Sequence, residues 1–259
     1  MNIQIKHNSN QYEINSNEGT AISIPVKFND SQNPKFYDTS NPEKKYYSSD
    51  GIEYSLSKGA GCNVPLINMN IHCSGTHTES ANHVLSGGRF VGEIQNTNFI
   101  SSQLISVQPE NSTDEDYHAA YSYNDKIITK NILSNIELDK DFMDAIIIRT
   151  LPNNESKKTI NYNNEHHPFL TNDAVRYIKE MGIKHILIDT PSIDRYDDDG
   201  KLGNHHIFFM DQNTPNDNTV TELIFVPDSC EDGKYFLSLG IANFNLDAAP
   251  SSPVIYRVK

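Results

Sequence analysis

The side chains best suited to chemistry lie between His72 and His83, where three histidines, a glutamate and a cysteine fall within twelve residues. If residues 77–79 are extended, His77 and Glu79 point the same way, because side chains alternate along a strand. A neutral imidazole and a carboxylate are ordinary ligands for Zn²⁺ or Mn²⁺. The segment therefore suggests a metal site, and a polar loop that happens to be rich in histidine is the alternative.

A second group of candidate ligands lies downstream at His205, His206 and Glu222. The two histidines precede one apolar stretch and the glutamate opens another. Adjacent histidines are usually found in surface loops, and a lone carboxylate at the start of a strand is usually solvated. Neither feature alone indicates a site.

Other catalytic and ion-binding patterns are missing or incomplete. No G-x-S-x-G segment is present, so a serine hydrolase of the α/β-hydrolase type is unsupported. The acidic run 197–200 is similar to a calcium loop, but with Gly200 at the sixth position Arg195 would come first and His206 twelfth. Those two positions need acidic ligands. We therefore expect a solvated acidic turn there.

The overall composition excludes several classes of protein. A formal net charge of −13 over 259 residues argues against binding to nucleic acid or to an anionic membrane surface. No apolar run reaches the roughly 18 residues that a membrane-spanning helix needs. The N-terminus lacks a secretory signal pattern, and three cysteines at unrelated spacings favour a reducing compartment. We expect a cytoplasmic protein.

The elements that must position these groups are clearest in the middle of the chain. Residues 144–150 form a short apolar run, which is typical of a strand buried on both faces. Residues 171–181 have the pattern of a helix that Gly182 ends, and residues 185–189 form a second buried strand. This order predicts two parallel strands joined by a helical crossover.

The N-terminal third is less regular. Residues 21–28 alternate as a strand does, and Pro25 suggests that this strand lies at the edge of a sheet. Residues 29–61 are expected to form a long irregular segment, either a surface loop or a lid or partner-contacting arm. No change in composition marks a linker, so residues 1–259 are expected to form one domain.

The C-terminal part reads as strands joined by turns. Residues 220–226 and 235–242 flank a turn with Asp232-Gly233, which predicts a hairpin or meander. Residues 254–258 are expected to form the last strand.

Several of these segments resemble the cyclase family, which includes bacterial kynurenine formamidases and isatin hydrolases. Gly75-Thr-His-Thr-Glu-Ser-Ala-Asn-His83 resembles the family motif H-x-G-T-H-x-D-x-P-x-H. Four further likenesses follow in the family's order: the apolar strand 145–150 ending in Arg-Thr, the helix start at 170–175, the D-x-P-S-x-D loop at 188–194 and the closing loop and strand at 247–254. The resemblance covers roughly residues 60 to 258.

The resemblance implies a fold, a cofactor and a set of site residues. The fold is an α/β domain of the swivelling β/β/α type with a mixed sheet and few helices, assembled as a homodimer or homotetramer. The cofactor is one or two divalent ions, Zn²⁺ or Mn²⁺. Carried onto this sequence, the residues implied are the metal ligands His72, His77, Glu79, His205 (or its neighbour His206) and Glu222, and the proton-transfer residue His83.

The first motif departs from the family pattern at three positions. Cys73 stands where the family has its first histidine, and His72 is one residue too early. Either His72 reaches the metal, Cys73 binds it as a thiolate, or this ligand is missing. Glu79 replaces an aspartate and is one methylene longer, and Ala81 replaces a proline.

The activity implied by the resemblance is hydrolysis of a small N-formyl or cyclic amide, like that of an arylformamidase in tryptophan catabolism. The substrate would be a small molecule, with neither nucleic acid nor a membrane as partner. The alternative is a binding protein that has kept the cyclase fold and lost the chemistry, and Cys73 at a ligand position favours it.

Overall fold

The computed structural model describes residues 1–95, 97–164 and 166–259. Its strands in chain order are β1 (Asn2–His7), β2 (Asn10–Asn15), β3 (Thr20–Ala21), β4 (Glu43–Tyr46), β5 (Ser48–Ser49), β6 (Ile52–Glu53), β7 (Pro65–Asn68), β8 (His77–Ser80), β9 (Ile100–Val107), β10 (Ile127–Ile128), β11 (Ala145–Thr150), β12 (Phe169–Leu170), β13 (His185–Ile188), β14 (Met210–Asp211), β15 (Thr214–Pro215), β16 (Thr219–Glu222), β17 (Gly233–Ser238), β18 (Ala248–Pro250) and β19 (Val254–Arg257). The α-helices are α1 (Lys130–Ser134), α2 (Asn172–Glu180) and α3 (Gly203–Phe209), and short 3₁₀ segments span Leu56–Lys58, Ala81–His83, Val91–Glu93 and Glu155–Lys158.

Nine of the strands form one mixed sheet in the order β18-β8-β16-β13-β11-β9-β17-β19-β3. The four central strands, β16, β13, β11 and β9, are mutually parallel, and antiparallel strands flank them on both sides. The predicted parallel pair is confirmed as β11 and β13, with α2 in the connection between them. A mixed sheet with few helices agrees with the fold class expected from the sequence.

Strand β11 shows why the middle of this sheet is stable. All six of its residues are buried, as expected for a parallel strand covered on both faces. Ile146 and Ile148 pack into the larger apolar cluster, which includes residues of α2 and α3. Ala145 and Ile147 point to the opposite face and pack in a second cluster. The strand therefore contributes to two apolar layers, one on each side of the sheet.

Helix α2 forms where the sequence predicts it. Thr171 is its N-cap, and its hydroxyl accepts a hydrogen bond from the Ala174 backbone N–H at 2.9 Å. Such a cap is worth about 1 kcal/mol. The apolar side, which includes Val175 and Ile178, is fully buried. Gly182 follows the helix with a φ of 82°, which glycine adopts without strain.

Two of the sequence predictions about strands are wrong. Of the strand expected at 21–28, only Ala21 lies in a strand of the sheet, as part of the edge strand β3 (Thr20–Ala21), and Pro25 lies beyond it. The predicted hairpin between residues 220–226 and 235–242 does not form, because β16 pairs with β13 and β8 while β17 pairs with β9 and β19. Local alternation identifies extended segments, but it does not identify their neighbours in the sheet.

The segment 29–61 contains β5 and β6, which pair with each other, and β4, which pairs with β7 just beyond the segment. Before them, the chain at Phe36 and Tyr37 lies against the cavity described below. Among the described residues, no helix has the length and apolar character that crossing a bilayer requires.

Candidate metal centre

Strands β8 and β16 place three of the predicted ligands at the same end of the sheet, where β16 ends. They are antiparallel neighbours, and His77 lies directly opposite Glu222, the last residue of β16. His77 Nε2 is 3.4 Å from the Glu222 carboxylate. Glu79 is two residues further along β8, so its side chain is on the same face as His77. The site thus lies at the carboxyl ends of the parallel strands, where ligands bind in open α/β sheets.

Helix α3 contributes the fourth ligand candidate. Its first turn carries His205, whose Nε2 lies 2.6 Å from Glu79 Oε1 and 3.5 Å from Glu222 Oε1. The neighbouring His206 is on the other side of the helix and lines a separate, open surface depression. Between the two alternatives left by the sequence, the geometry therefore brings His205 to the site.

Both imidazoles are oriented by a hydrogen bond on the side away from the cluster. His77 Nδ1 donates to the Gly75 carbonyl at 3.0 Å, and His205 Nδ1 lies 2.7 Å from the Asp194 carboxylate. Their Nε2 atoms and both carboxylate oxygens of Glu79 are buried without a hydrogen bond of regular geometry. Metal-binding histidines have this arrangement, with one nitrogen held by an oxygen and the other available. Two imidazoles and two carboxylates also fit Zn²⁺ or Mn²⁺.

His72 and His83 lie at the more exposed side of the cluster. His72 Nδ1 is 3.2 Å from Glu79 Oε2, and His83 Nε2 is 3.7 Å from the same oxygen. The two rings stack with their centroids 4.2 Å apart. Asp247 contacts both, at 3.0 Å from His72 Nε2 and 3.1 Å from His83 Nδ1. One carboxylate therefore holds both of these histidines beside Glu79.

Charge coupling inside the cluster shifts several pKa values. Burial alone would raise the pKa of Glu79, but the positive charges of His205 and His83 hold that pKa well below its usual range. Burial would likewise lower the pKa of His205, yet Glu79 and Asp194 raise it well above its ordinary value. The metal-free chain thus favours an ionised Glu79 beside a protonated His205. Metal binding at such a site displaces protons from its ligands.

Burial and neighbouring carboxylates also act in opposite directions on the pKa of His72. Burial would lower the pKa of this imidazole, but Glu79 and Asp247 outweigh that effect and raise the pKa to about 9. A carboxylate with a suppressed pKa and imidazoles with raised ones, gathered in one cleft, are typical of functional sites.

The structure brings together all six residues that the resemblance implied. Cys73, the alternative to His72, is buried among Phe36, Tyr162 and Leu223 and belongs to none of the ligand groups found among the described residues. Burial raises the pKa of its thiol to about 11, and the Glu222 carboxylate acts in the same direction. In the metal-free chain this thiol is therefore protonated at neutral pH.

Three further residues were not assigned a role from the sequence. Asp194 and Asp247 both lie in segments that resemble the family, the end of the D-x-P-S-x-D loop and the start of the closing loop, so a signal for them existed. His118 lies in no recognised motif, yet its ring is 2.9 Å from Asp198 and 3.7 Å from Asp194.

The expectation of a solvated acidic turn at 197–200 is wrong for Asp198. Its side chain is buried and accepts hydrogen bonds from the backbone N–H groups of Lys201 and Leu202, at 3.2 and 2.7 Å. The run of acidic residues suggested solvation, but the turn folds back so that its central carboxylate faces inward.

A cavity of about 190 Å³ opens over the cluster. One side is polar, with His72, Glu79, His83, His205 and Glu222, and another side is aromatic. Phe36 and Tyr37 form the aromatic side, with ring centroids 4.1 Å apart, and Tyr37 is 5.3 Å from Tyr196. The long N-terminal segment therefore contributes a wall of the candidate site.

Comparison with known proteins assigns the chain to a family. Residues 5–195 match the cyclase family model, described as "Putative cyclase". The match spans well over half of the sequence, and the chain belongs to the cyclase family. The family resemblance noted from the motifs is thereby confirmed. No curated protein matches the sequence.

Solved structures share the fold over nearly the whole chain. A potential metal-dependent hydrolase with cyclase activity is 17% identical, with 92% of this chain and 97% of that chain covered and a TM-score of 0.63. An isatin hydrolase bound to the product analogue thioisatinate is 13% identical, with 93% of each chain covered and a TM-score of 0.64. Isatin hydrolase A from Labrenzia aggregata, bound to benzyl benzoate, is 15% identical, with 93% and 94% covered and a TM-score of 0.63. At these identities the likeness establishes the fold alone.

Proposed function

We propose that this chain is a metal-dependent hydrolase that cleaves the carbon–nitrogen bond of a small N-formyl or cyclic amide, as an arylformamidase does. The observation that carries the proposal is the buried cluster of His77, Glu79, His205 and Glu222. Its members come from two strands and a helix, and their facing atoms lie 2.6 to 3.5 Å apart. His72 completes the set, because its Nδ1 lies 3.2 Å from Glu79. Zn²⁺ and Mn²⁺ are the ions that these donors suit.

A bound Zn²⁺ or Mn²⁺ supplies a Lewis acid that polarises an amide carbonyl and acidifies a water molecule. Hydrolysis adds the hydroxyl of water to the carbonyl carbon and a proton to the departing nitrogen. His83 is the group for that proton, because its ring borders the cavity and its Nε2 faces Glu79. The Asp247 carboxylate faces His83 Nδ1 at 3.1 Å. An ionised carboxylate accepts a hydrogen bond from Nδ1–H, which leaves Nε2 as the nitrogen that exchanges a proton.

The cavity limits the substrates that the site would take. Its volume of about 190 Å³ suits a small molecule. The faces of Phe36 and Tyr37 would contact a flat ring by stacking. An aryl amide or a cyclic amide fused to an aromatic ring meets both conditions.

The test combines metal analysis with a substrate assay. Protein purified without chelators should retain a divalent metal, and it should hydrolyse N-formylkynurenine or isatin only when Zn²⁺ or Mn²⁺ is present. Glu222→Gln should lose the metal and the activity, whereas His206→Gln, next to His205 but outside the cavity, should keep both. A metal-loaded protein that turns over neither compound would contradict the substrate class.

The second candidate is a cyclase-fold binding protein without the chemistry. Cys73 at the motif's first ligand position favours it, because the thiol packs among Phe36, Tyr162 and Leu223 and belongs to none of the candidate ligand groups of the described residues. Such a protein would raise its melting temperature with an amide ligand while forming no product. It would also hold less than about half a metal ion per chain, since its ligand set would be incomplete.

A further inference from the structure

We propose that His118 is a positioning residue for the metal centre, which keeps Asp194 and the start of α3 where His205 faces Glu79 and Glu222. The inference rests on the proposed function, because the centre that His118 serves is the proposed metal site. His118 lies more than 80 positions before His205 in the chain, at 118 against 205, and no motif marks it.

The first step is the contact between Asp194 and helix α3. This helix has only seven residues, and its N-cap, Leu202, offers no side-chain hydrogen bond. Asp194 takes that role from the loop after β13. It accepts hydrogen bonds from the backbone N–H groups of Asn204 at 2.9 Å and His205 at 3.2 Å, and from His205 Nδ1 at 2.7 Å. One carboxylate therefore fixes both the helix start and the orientation of the ligand ring.

The second step is that Asp194 does not stand alone. Asp198 is also buried, and His118 Nε2 lies between the two carboxylates, 2.9 Å from Asp198 and 3.7 Å from Asp194. We call His118, Asp194 and Asp198 the bracket. Two neighbouring carboxylates in a buried site repel each other unless a hydrogen-bonding or positive group separates them. His118 is that group, and Tyr117 adds a hydroxyl 3.4 Å from Asp194.

The third step is that the His118 ring itself is fixed. Asn172 Oδ1, at the start of α2, lies 3.0 Å from His118 Nδ1 and also accepts from the His118 backbone N–H at 3.2 Å. On its other side the ring lies against Gly203, where an added Cβ would come within 2.2 Å of Nδ1. The ring therefore ties the start of α2 to the start of α3. If it is removed, the first turn of α3 loses its support.

The bracket is not itself a second metal site. Every nitrogen and carboxylate oxygen in it has a hydrogen-bond partner of regular geometry. The metal centre differs, because four of its buried atoms have no such partner. The geometry assigns the bracket a supporting role.

The test measures the affinity of the protein for Zn²⁺ by competition with a chromogenic chelator. His118→Ala should weaken Zn²⁺ binding about tenfold, the lower end of the effect of outer-shell partners on metal sites. His118→Gln retains a donor near Asp198 and should recover part of that loss. Asp198→Asn combined with His118→Ala removes one of the two carboxylates that repel each other once the imidazole is gone, and it should also restore affinity relative to His118→Ala alone.

A matched control separates positioning from general destabilisation. His185, at the start of β13, is also buried, and its ring hydrogen-bonds to Thr219 at the start of β16, the end of that strand away from Glu222. His185→Ala should lower the melting temperature and leave the Zn²⁺ affinity unchanged. Circular dichroism would show whether each variant is folded before its affinity is measured. Nitrogen-15 spectra of the metal-free protein add a second readout, because loss of the bracket should change the chemical shifts of the His205 ring nitrogens.

The outcomes distinguish this inference from the proposed function. Wild-type protein that binds Zn²⁺, together with a folded His118→Ala variant of equal affinity and an unchanged His205 spectrum, would overturn the positioning role alone. Wild-type protein without Zn²⁺ affinity would overturn both. A tenfold loss in His118→Ala with recovery in the double variant would support the inference.

Discussion

The metal centre and the bracket contain the same kinds of residues, lie side by side, and differ in hydrogen bonding. In the bracket, the backbone N–H groups of α3 and of the turn before it satisfy the carboxylates of Asp194 and Asp198. In the metal centre, both oxygens of Glu79 and the Nε2 atoms of His77 and His205 are buried without regular partners. The clusters meet at His205, whose two ring nitrogens face one cluster each.

This difference shows that residue composition does not identify a metal site. Groups of histidine and aspartate or glutamate form wherever buried carboxylates need positive or donating neighbours. What separates the two clusters is whether the protein itself supplies enough hydrogen bonds. Where it does, the cluster is structural, and where buried imidazole and carboxylate atoms are left without partners, a cation can meet the remaining demand.

The largest difference in Zn²⁺ affinity should appear when one carboxylate is neutralised in the metal centre and, in a separate variant, one in the bracket. Glu79→Gln keeps the shape of the side chain but removes its charge, and it should weaken Zn²⁺ binding by about a thousandfold, or about 4 kcal/mol, as for the loss of one partner of a buried charge pair. Asp198→Asn should weaken it by no more than about tenfold. Chelator competition and elemental analysis measure both. Equal losses in the two variants would end the distinction between the clusters.

A smaller effect is expected at His83, which borders the metal centre without being needed to form it. His83→Gln should lower kcat about a hundredfold, the usual contribution of a proton-transfer group, and it should leave the metal content unchanged. His206→Gln is the control for loss of an imidazole, and it should change neither kcat nor the metal content. Loss of metal in His83→Gln would instead make His83 a ligand.

The proximity of the candidate metal ligands was easier to predict from the sequence than that of the bracket residues, for a physical reason. His77 and Glu79 are two residues apart on a strand, so alternation alone places them on one face. The pairing of β8 with β16, which brings Glu222 opposite His77, is a long-range contact that no local pattern contains. Only the family resemblance connected those two segments.

The bracket depends on still longer-range contacts. His118 reaches Asp198 and Gly203 only because a loop before α1 lies against the start of α3, and neither position has a local signature. Asp198 misled the sequence analysis because three consecutive aspartates normally indicate solvent. For β11, β13 and α2, by contrast, the apolar periodicity and the caps were sufficient.

His185, a buried histidine that belongs to neither cluster, should make the free energy of unfolding depend on pH. Burial lowers the pKa of His185 to about 4, against an ordinary value of 6.5. Between these values the unfolded chain binds a proton that the folded chain does not. The free energy of unfolding should therefore fall as the pH drops from 6.5 to 4, by up to about 3 kcal/mol from this residue.

His185→Gln should lessen that pH dependence, as urea unfolding at several pH values would show. Other groups titrate in the same range, so the informative quantity is the difference between variant and wild type. His206→Gln, which removes a surface imidazole, should unfold with the pH dependence of the wild type. An identical pH dependence in His185→Gln would mean that this histidine is hydrated or charged in the folded state.

The smallest effect concerns the aromatic wall, which neither cluster needs. Phe36→Ala removes a ring from the cavity, and it should raise KM about tenfold for an aryl amide, the cost of losing one buried aromatic contact of roughly 1.5 kcal/mol. Tyr47→Ala is the matched control, because this aromatic residue of the same segment is 45% exposed and lies outside the cavity. Zn²⁺ affinity should be unchanged in both variants, since neither ring offers an atom that binds a metal. A rise in KM confined to Phe36→Ala would mean that the N-terminal segment selects the substrate, while residues of β8, β16 and α3 bind the metal. A drop in Zn²⁺ affinity in Phe36→Ala would instead mean that Phe36 supports the metal centre through its packing against Cys73. The aromatic wall would then help to position the metal ligands, as the bracket does.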